Sequence, residues 1–308
     1  MRVFVTGASG HIGSALVPEL LAAGHQVVGL ARSDSSARAL AAAGATVRRG
    51  DLDDLAGLRD AAAGADGVIH LAFKHDVAFT GDFAGAAAAD LRAVDAIGGA
   101  LEGSAKPFVG TSGTLLLAMA ARRRVGTEQD IVDGGPRIDS ENAVIAMAKR
   151  GVRSSVIRLA PTVHSSLDHH GFVPTLIGMA RKNGRAAYVG DGANRWPAVH
   201  TLDAARLYRL ALEAAPAGSR LHGVADEGIA FREIAESIAR GLGLPARSVT
   251  PDDAAQSLGF LAAFAQLDNP TSSAQTQTLL DWRPTHPGLL ADLAERHYFE
   301  LSQPAAAR

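Results

Sequence analysis

Apolar and polar positions in the first half of the chain alternate between short strand-like runs and longer mixed segments. Val3 to Thr6, Gln26 to Leu30, Thr46 to Arg49, Gly67 to Leu71, Pro107 to Thr111 and Ser155 to Leu159 read as strands. Between them, Ile12 to Ala23 and Ser35 to Ala43 predict helices, each stopped by a glycine, Gly24 and Gly44. The run Ala84 to Ala89 predicts a further helix, because alanine is the best helix former. Strands separated by helices at this spacing predict an α/β fold with a parallel sheet covered on both faces.

After Leu159 the rhythm changes. Residues 164–195 hold clustered histidines, glycines and a Phe172-Val173-Pro174 turn entry, and a helix from Ile234 to Leu242 precedes a tail rich in Thr, Ser and Gln. The division expected from this is a first domain over 1–165, with a return segment near 196–215. A smaller lobe is expected from 166–195 and 216–308.

Composition narrows the function. With 308 residues, 47% of them apolar, the chain can bury a core, which excludes general disorder. It has no cysteine, so thiolate nucleophiles, disulfides and zinc–thiolate sites are excluded. A net charge of -2 argues against a nucleic-acid or anionic-membrane surface, and the one basic run, Arg122-Arg123-Arg124, reads as a solvated helix end. The N-terminal apolar run is too short for a secretory signal, and no stretch reaches the length of a membrane span. The expectation is a soluble, cytoplasmic protein with a small-molecule substrate and no nucleic-acid or membrane partner. Assembly as a homodimer is compatible with it.

The strongest chemical signal is Thr6-Gly7-Ala8-Ser9-Gly10-His11-Ile12-Gly13, set directly between a strand and a helix. Gly7 permits the tight turn, Gly10 lets the backbone approach a pyrophosphate, and Gly13 lets helix and strand pack closely. The helix start then offers unpaired N–H groups and a positive dipole end to the phosphates.

This TGxxGxxG spacing resembles the extended and atypical short-chain dehydrogenase/reductases, which are related to the NAD(P)-dependent epimerases and dehydratases. Further segments carry the resemblance along nearly the whole chain. Gly50-Asp51-Leu52 resembles the turn that contacts adenine, and Ile69-His70-Leu71-Ala72 the strand end that lies along the cofactor. Thr111-Ser112-Gly113 resembles the strand end that bears the active-site hydroxyl, and Arg158 to Val163, with Pro161, the one that closes over nicotinamide. Gly190-Asp191-Gly192, Val199-His200 and Asp203-Ala204-Ala205 resemble the family's return segment, and Leu280-Asp281-Trp282-Arg283-Pro284 its C-terminal LGWxP stretch. The resemblance implies a Rossmann doubly wound parallel sheet with a smaller C-terminal substrate lobe. It also implies cofactor contacts from Gly7, Ser9, Gly10, His11, Ile12, Gly13, Asp51, Leu52, Leu71, Ala72, Thr111, Pro161 and Val163.

An acidic residue about 20 positions beyond the loop selects NAD through the ribose 2′-OH. Here the second strand ends in Arg32-Ser33-Asp34, and a guanidinium favours a 2′-phosphate. NADP(H) is therefore the expected cofactor, with Arg32 and Ser33 as its selectors, and NAD(H) the alternative.

The family's Tyr-x-x-x-Lys pair is missing. The three tyrosines are Tyr188, Tyr208 and Tyr298, and no lysine lies four positions after any of them. Counting back from Glu141 puts Asp133 at the tyrosine position and Arg137 at the lysine position. Arg137 cannot give up a proton near neutrality but can bind an oxyanion. Asp133, Ser112 and Thr114 complete the candidate catalytic set. His164, His170, Phe172 and Trp196 are expected to line the substrate cleft, and no metal site is expected. His200 is expected to be structural. The function these residues point to is an NADPH-dependent oxidoreductase passing hydride to a quinone-like or activated carbonyl molecule. A non-catalytic NADP(H)-binding sensor or scaffold is the alternative. A sugar-nucleotide epimerase ranks last, because that chemistry needs the tyrosine.

Overall fold

The computed structural model describes residues 1–120 and 124–300, so Arg122 and Arg123 of the basic run lie outside the described residues. In chain order the first half contains β1 (Arg2–Thr6), α1 (His11–Ala22), β2 (Gln26–Ala31), α2 (Asp34–Ala42), β3 (Thr46–Arg49), α3 (Leu55–Ala63) and β4 (Gly67–His70). Then come α4 (His75–Phe79), α5 (Phe83–Leu101), β5 (Pro107–Gly113), α6 (Leu115–Met119), α7 (Ile138–Ala146) and β6 (Arg153–Leu159). The second half adds β7 (Thr162–His164), α8 (Phe172–Asn183), β8 (Ala186–Val189), β9 (Arg195–His200), α9 (Thr201–Ala214) and β10 (Ser219–Gly223). It ends with β11 (Asp226–Ala230), α10 (Phe231–Leu242), β12 (Ala246–Val249), α11 (Ala254–Leu258), α12 (Ala274–Leu280) and α13 (Leu289–Asp292).

Seven strands form one parallel sheet in the order β3-β2-β1-β4-β5-β6-β10. The strand order reverses between β1 and β4, and at such a switch point the two loops diverge and open a crevice. Side chains alternate across the sheet, as a period of two requires. Val3, Val5, Val27, Ile69, Val109 and Ile157 join one core with α1 and α9, while Phe4, Val28, Val68, Phe108 and Val156 join the other with α3, α5 and α7. A third core, around Trp196, Phe231, Ile234 and Leu261, belongs to the second lobe.

Two boundaries differ from expectation. β10 lies within the segment assigned to the small lobe, yet it pairs with β6 as the seventh strand of the main sheet. Leu280 and Trp282 also pack on the main core, where the Trp282 indole N–H donates to Asp203 O at 3.0 Å. The sequence Ser219-Arg220-Leu221-His222-Gly223 is too polar to read as a buried strand, and an apolar period does not say which sheet a strand joins. Among the described residues no helix is long and apolar enough to cross a membrane.

Candidate active site

The glycine loop closes because the space around it excludes side chains. Gly7 has φ +67°, and a Cβ there would lie 2.8 Å from the Ala72 amide nitrogen. A Cβ on Gly13 would lie 2.2 Å from Gly7 O. Gly10 is different: it caps α1 in an extended conformation, and its Cβ would meet only Gly7 O, at 3.2 Å. That open side faces the first turn of α1, which has no side-chain cap and no acidic residue. The unpaired N–H groups of such a turn, at the positive end of the dipole, form a cradle for a diphosphate. Ser9 and Gly10 are exposed there, so the residues present fit a dinucleotide.

At the other end of the crevice an open cleft of about 410 Å³ is lined by Ala31, Arg32, Ser33, Asp34, Arg49, Gly50 and Asp51. Asp51 Oδ1 accepts from the Asp53 and Asp54 amides at 2.8 and 3.2 Å, fixing the turn beneath it, and Leu52 is buried. Ser33 caps α2 by accepting from the Ser36 amide at 3.2 Å. Arg32 pairs with Asp76 at 3.1 Å and Arg49 pairs with Asp34. Sequence reasoning missed Arg49; its signal is a cation at the last position of β3, beside the end of β2.

Between these ends the strand termini are tied by a directed network. Thr6 Oγ1 accepts from the Ala72 amide at 3.2 Å and donates to His70 Nδ1 at 2.7 Å, which leaves His70 Nε2–H to donate to Asp90 at 3.1 Å. Burial raises Asp90, but the His70 bond and the Arg137 charge outweigh it and hold the carboxyl below its ordinary value. Thr111 donates to His70 O at 2.7 Å, so Tyr208 is the donor in its 2.8 Å bond with Thr111.

Arg137 stands at the edge of this network. It has φ +72° at the start of α7, a left-handed conformation that is unfavourable for arginine. Its guanidinium lies 4.0 Å from the Phe73 ring centre and donates to Thr111 O at 3.2 Å. Among the described residues no carboxylate pairs with it within ion-pair distance. His75, also missed from the sequence, meets Phe73 edge-on at 5.1 Å. Burial, then the charge of Arg137, lowers its pKa.

The loop after β6 is more buried than expected. His164 is fully buried, bonded to Asp292 at 2.8 Å and packed edge-on against His200 at 5.5 Å, so it does not line the cleft. Trp196 is also fully buried in the second-lobe core, its N–H donating to Phe264 O at 3.3 Å. Phe172 packs between Trp196 and Phe264, at 5.7 and 6.1 Å, while His170 is exposed and Pro161 and Val163 are half-buried. His200 caps α9 by accepting from the Leu202 amide at 3.2 Å and stacks on His286 at 4.7 Å. In the glycine loop, His11 bonds Thr201 Oγ1 at 2.7 Å.

A family model, that of the NAD dependent epimerase/dehydratase family, matches residues 3–95. An uncharacterized protein of Schizosaccharomyces pombe is 48% identical over 97% of this chain and 100% of its own length. The chain belongs to the NAD dependent epimerase/dehydratase family. A ketoreductase of Stigmatella aurantiaca, named for 4-hydroxy-2-methyl-3-oxo-4-farnesyl-3,4-dihydroquinoline-1-oxide, is 28% identical over 71% of this chain and 66% of its own. A dTDP-glucose 4,6-dehydratase of Streptomyces venezuelae, solved with NAD, shares the fold at TM-score 0.75 and 20% identity, over 96% of each chain.

Measured against that family's usual dyad, this site keeps a cation and lacks the phenol. Three of the four expected catalytic side chains do not reach the cleft. Asp133 sits in an exposed loop, its carbonyl accepting from Asn142 Nδ2 at 3.2 Å. Thr114 is fully buried and accepts from Asn269 at 3.0 Å. Ser112 is buried with no hydrogen-bond partner for its hydroxyl among the described residues, and nearby Glu141, pushed up by burial, is brought below its ordinary value chiefly by Arg158, with Arg220 bonded to it as well. Sequence gives strand ends but not which way alternate side chains point, and both hydroxyls are buried, with that of Thr114 bonded to Asn269. The tyrosines do not compensate. Tyr208 is fully buried with its pKa pushed up by burial, Tyr298 is likewise raised and bonds the Ser165 amide at 3.0 Å, and Tyr188 lies under Arg232 in the second lobe. Arg137 alone of the expected set remains at the crevice.

Proposed function

We propose that this chain is an NADPH-dependent reductase acting on quinone-like or otherwise activated carbonyl compounds. The observation that carries the reading is an intact cofactor corner facing a guanidinium, Arg137, where the family's usual dyad would place a lysine and its phenol. Bound NADPH would supply the hydride. The first turn of α1 would hold its diphosphate, and Arg32 and Ser33 would face the 2′-phosphate.

Arg137 is built to hold negative charge in one place. Phe73 and the Thr111 carbonyl use one face and one N–H of the guanidinium, leaving other donors for an oxygen that gains charge. It has no proton to release. A positioned acid contributes about 10²–10⁴-fold to rate, and an acceptor whose reduced oxygen is a resonance-stabilised phenolate or enolate loses least without one. The Stigmatella relative, named as reducing an oxo group on a dihydroquinoline oxide, supports this class of acceptor. The buried dyad neighbourhood also supports a second reading, cofactor binding without turnover. Steady oxidation of NADPH by a naphthoquinone, saturating with acceptor and slowed about 10²-fold in Arg137→Gln, is the expected result. Tight NADPH binding with no oxidation by any acceptor would favour the second reading.

A further inference from the structure

Arg32 is not alone at the adenosine end. In the parallel register of β2 and β3, Ala31 stands opposite Arg49, so the residues that follow and end these strands flank one crevice about one strand spacing wide. Arg32 and Arg49 both line the 410 Å³ cleft, together with Ser33 and Asp34 at the start of α2. Each guanidinium is covered by one carboxylate, Asp76 on Arg32 and Asp34 on Arg49. Both carboxylates are largely exposed, and exposed pairs of this kind contribute little, so both can be displaced by a better anion. Two planar cations, the Ser33 hydroxyl and a helix start converging on an open cavity match a phosphate dianion rather than a ribose hydroxyl. A hydroxyl there would find donors in excess and, in Asp34, one carboxylate already taken.

We propose that Arg49 is a second ligand of the cofactor's 2′-phosphate, closing a two-guanidinium clamp with Arg32, and that Asp34 is its placeholder until the phosphate arrives. This rests on the NADPH reading and adds to it the residue that sets how strongly NADPH is preferred. The chemistry gives opposite signs at the two partners. Removing the Arg49 charge removes a phosphate ligand, whereas removing the Asp34 charge frees Arg49 and deletes a repulsion.

The test is calorimetric titration of the wild-type protein, Arg49→Gln and Asp34→Asn with NADPH, NADH and adenosine 2′,5′-bisphosphate, which carries the 2′-phosphate without nicotinamide. Arg49→Gln is expected to weaken NADPH and the bisphosphate about tenfold or more, as for loss of a charge-assisted bond, and to leave NADH unchanged. Asp34→Asn is expected to tighten NADPH and the bisphosphate and to leave NADH unchanged, and it stands as the test should Arg49→Gln fail to fold. A wild-type preference for NADPH that survives Arg49→Gln, or equal weakening of NADPH and NADH by it, would overturn the clamp while leaving the NADPH reading intact. A wild-type protein that binds NADH as tightly as NADPH would overturn both, and does so before any variant is made.

Discussion

The glycine corner and the Arg137 corner stand at the same edge of the sheet and are built differently. At the first, local geometry and function demand the same residues. Gly7 and Gly13 are required by packing against Ala72 and against the loop itself, and the shape they create is the diphosphate cradle. At the second, a residue is held against its preference. Arg137 takes a left-handed conformation with no glycine to ease it, while the Glu141–Arg158–Arg220 cluster behind it makes the wall rigid. Such an outlier persists only when surrounding structure over-determines it, and it points to a side chain kept for its chemistry. Where the fold needs a residue, stability and function fall together on mutation. Where function needs it, they separate.

The largest effect should appear where the fold makes the demand. Gly13→Val drives a side chain into Gly7 O and is expected to cost about 4 kcal/mol or more, lowering both the urea midpoint and cofactor binding. Gly10→Val is milder, since its Cβ would meet only Gly7 O, at 3.2 Å, a contact that a small shift relieves. It should leave the urea midpoint near wild type and remove NADPH binding in a calorimetric titration, and retained binding would contradict the cradle.

Arg158→Met comes next. It strands Glu141 in a buried site, at about 3 kcal/mol in urea denaturation, the lower end for such a loss because Arg220 still pairs with Glu141 at 2.9 Å.

At Arg137 the two readouts should part. Arg137→Gln is expected to lower kcat about 10²-fold, as for loss of one oxyanion donor. Arg137→Gly should do the same while raising stability by about 1 kcal/mol, since glycine accepts the left-handed backbone freely. A glycine variant that loses stability with its activity would place Arg137 with the glycine corner instead.

A further effect is on pH. Burial, then the neighbouring His169, His164 and His200, lowers His11 to about 4, and burial with His164 and His286 lowers His200 to about 4. Their contribution to stability is full above the ordinary histidine value of 6.5 and is lost as pH falls to about 4. Asp168 acts in the opposite sense: burial pushes it up to about 6, so its contribution is present below its ordinary 3.8 and is lost as pH rises through 6. Two histidines outweigh one carboxyl, so the melting temperature should fall between pH 6.5 and 4. Asp168→Asn should make that fall steeper, and a shallower slope would contradict the assignment.

The same contrast governs how far the sequence could be read. The strands of the first half, the helix stops and the glycine loop were legible because each depends on residues close in the chain. The polar edge strand β10 was not, since its partner β6 supplies the context. Nor were the burial of Ser112, Thr114, His164 and Trp196, which depends on Glu141, Asn269, Asp292 and Phe264, all distant in sequence or on another element. Arg49 and His75 escaped notice because their roles come from where neighbouring strands end. The absence of the dyad, in contrast, could be counted from the sequence alone.

The central claim is that an intact cofactor corner beside an arginine, without a phenol, supports hydride transfer to acceptors that need no acid. Its most direct test is the initial rate of NADPH consumption across a matched panel of quinones, aromatic ketones and simple aliphatic ketones. Rates should fall in that order, with the Arg137→Gln variant slowed on the quinones. A preference for aliphatic ketones, or for aliphatic secondary alcohols in the reverse direction with NADP, would contradict the account and require a proton donor at the cleft.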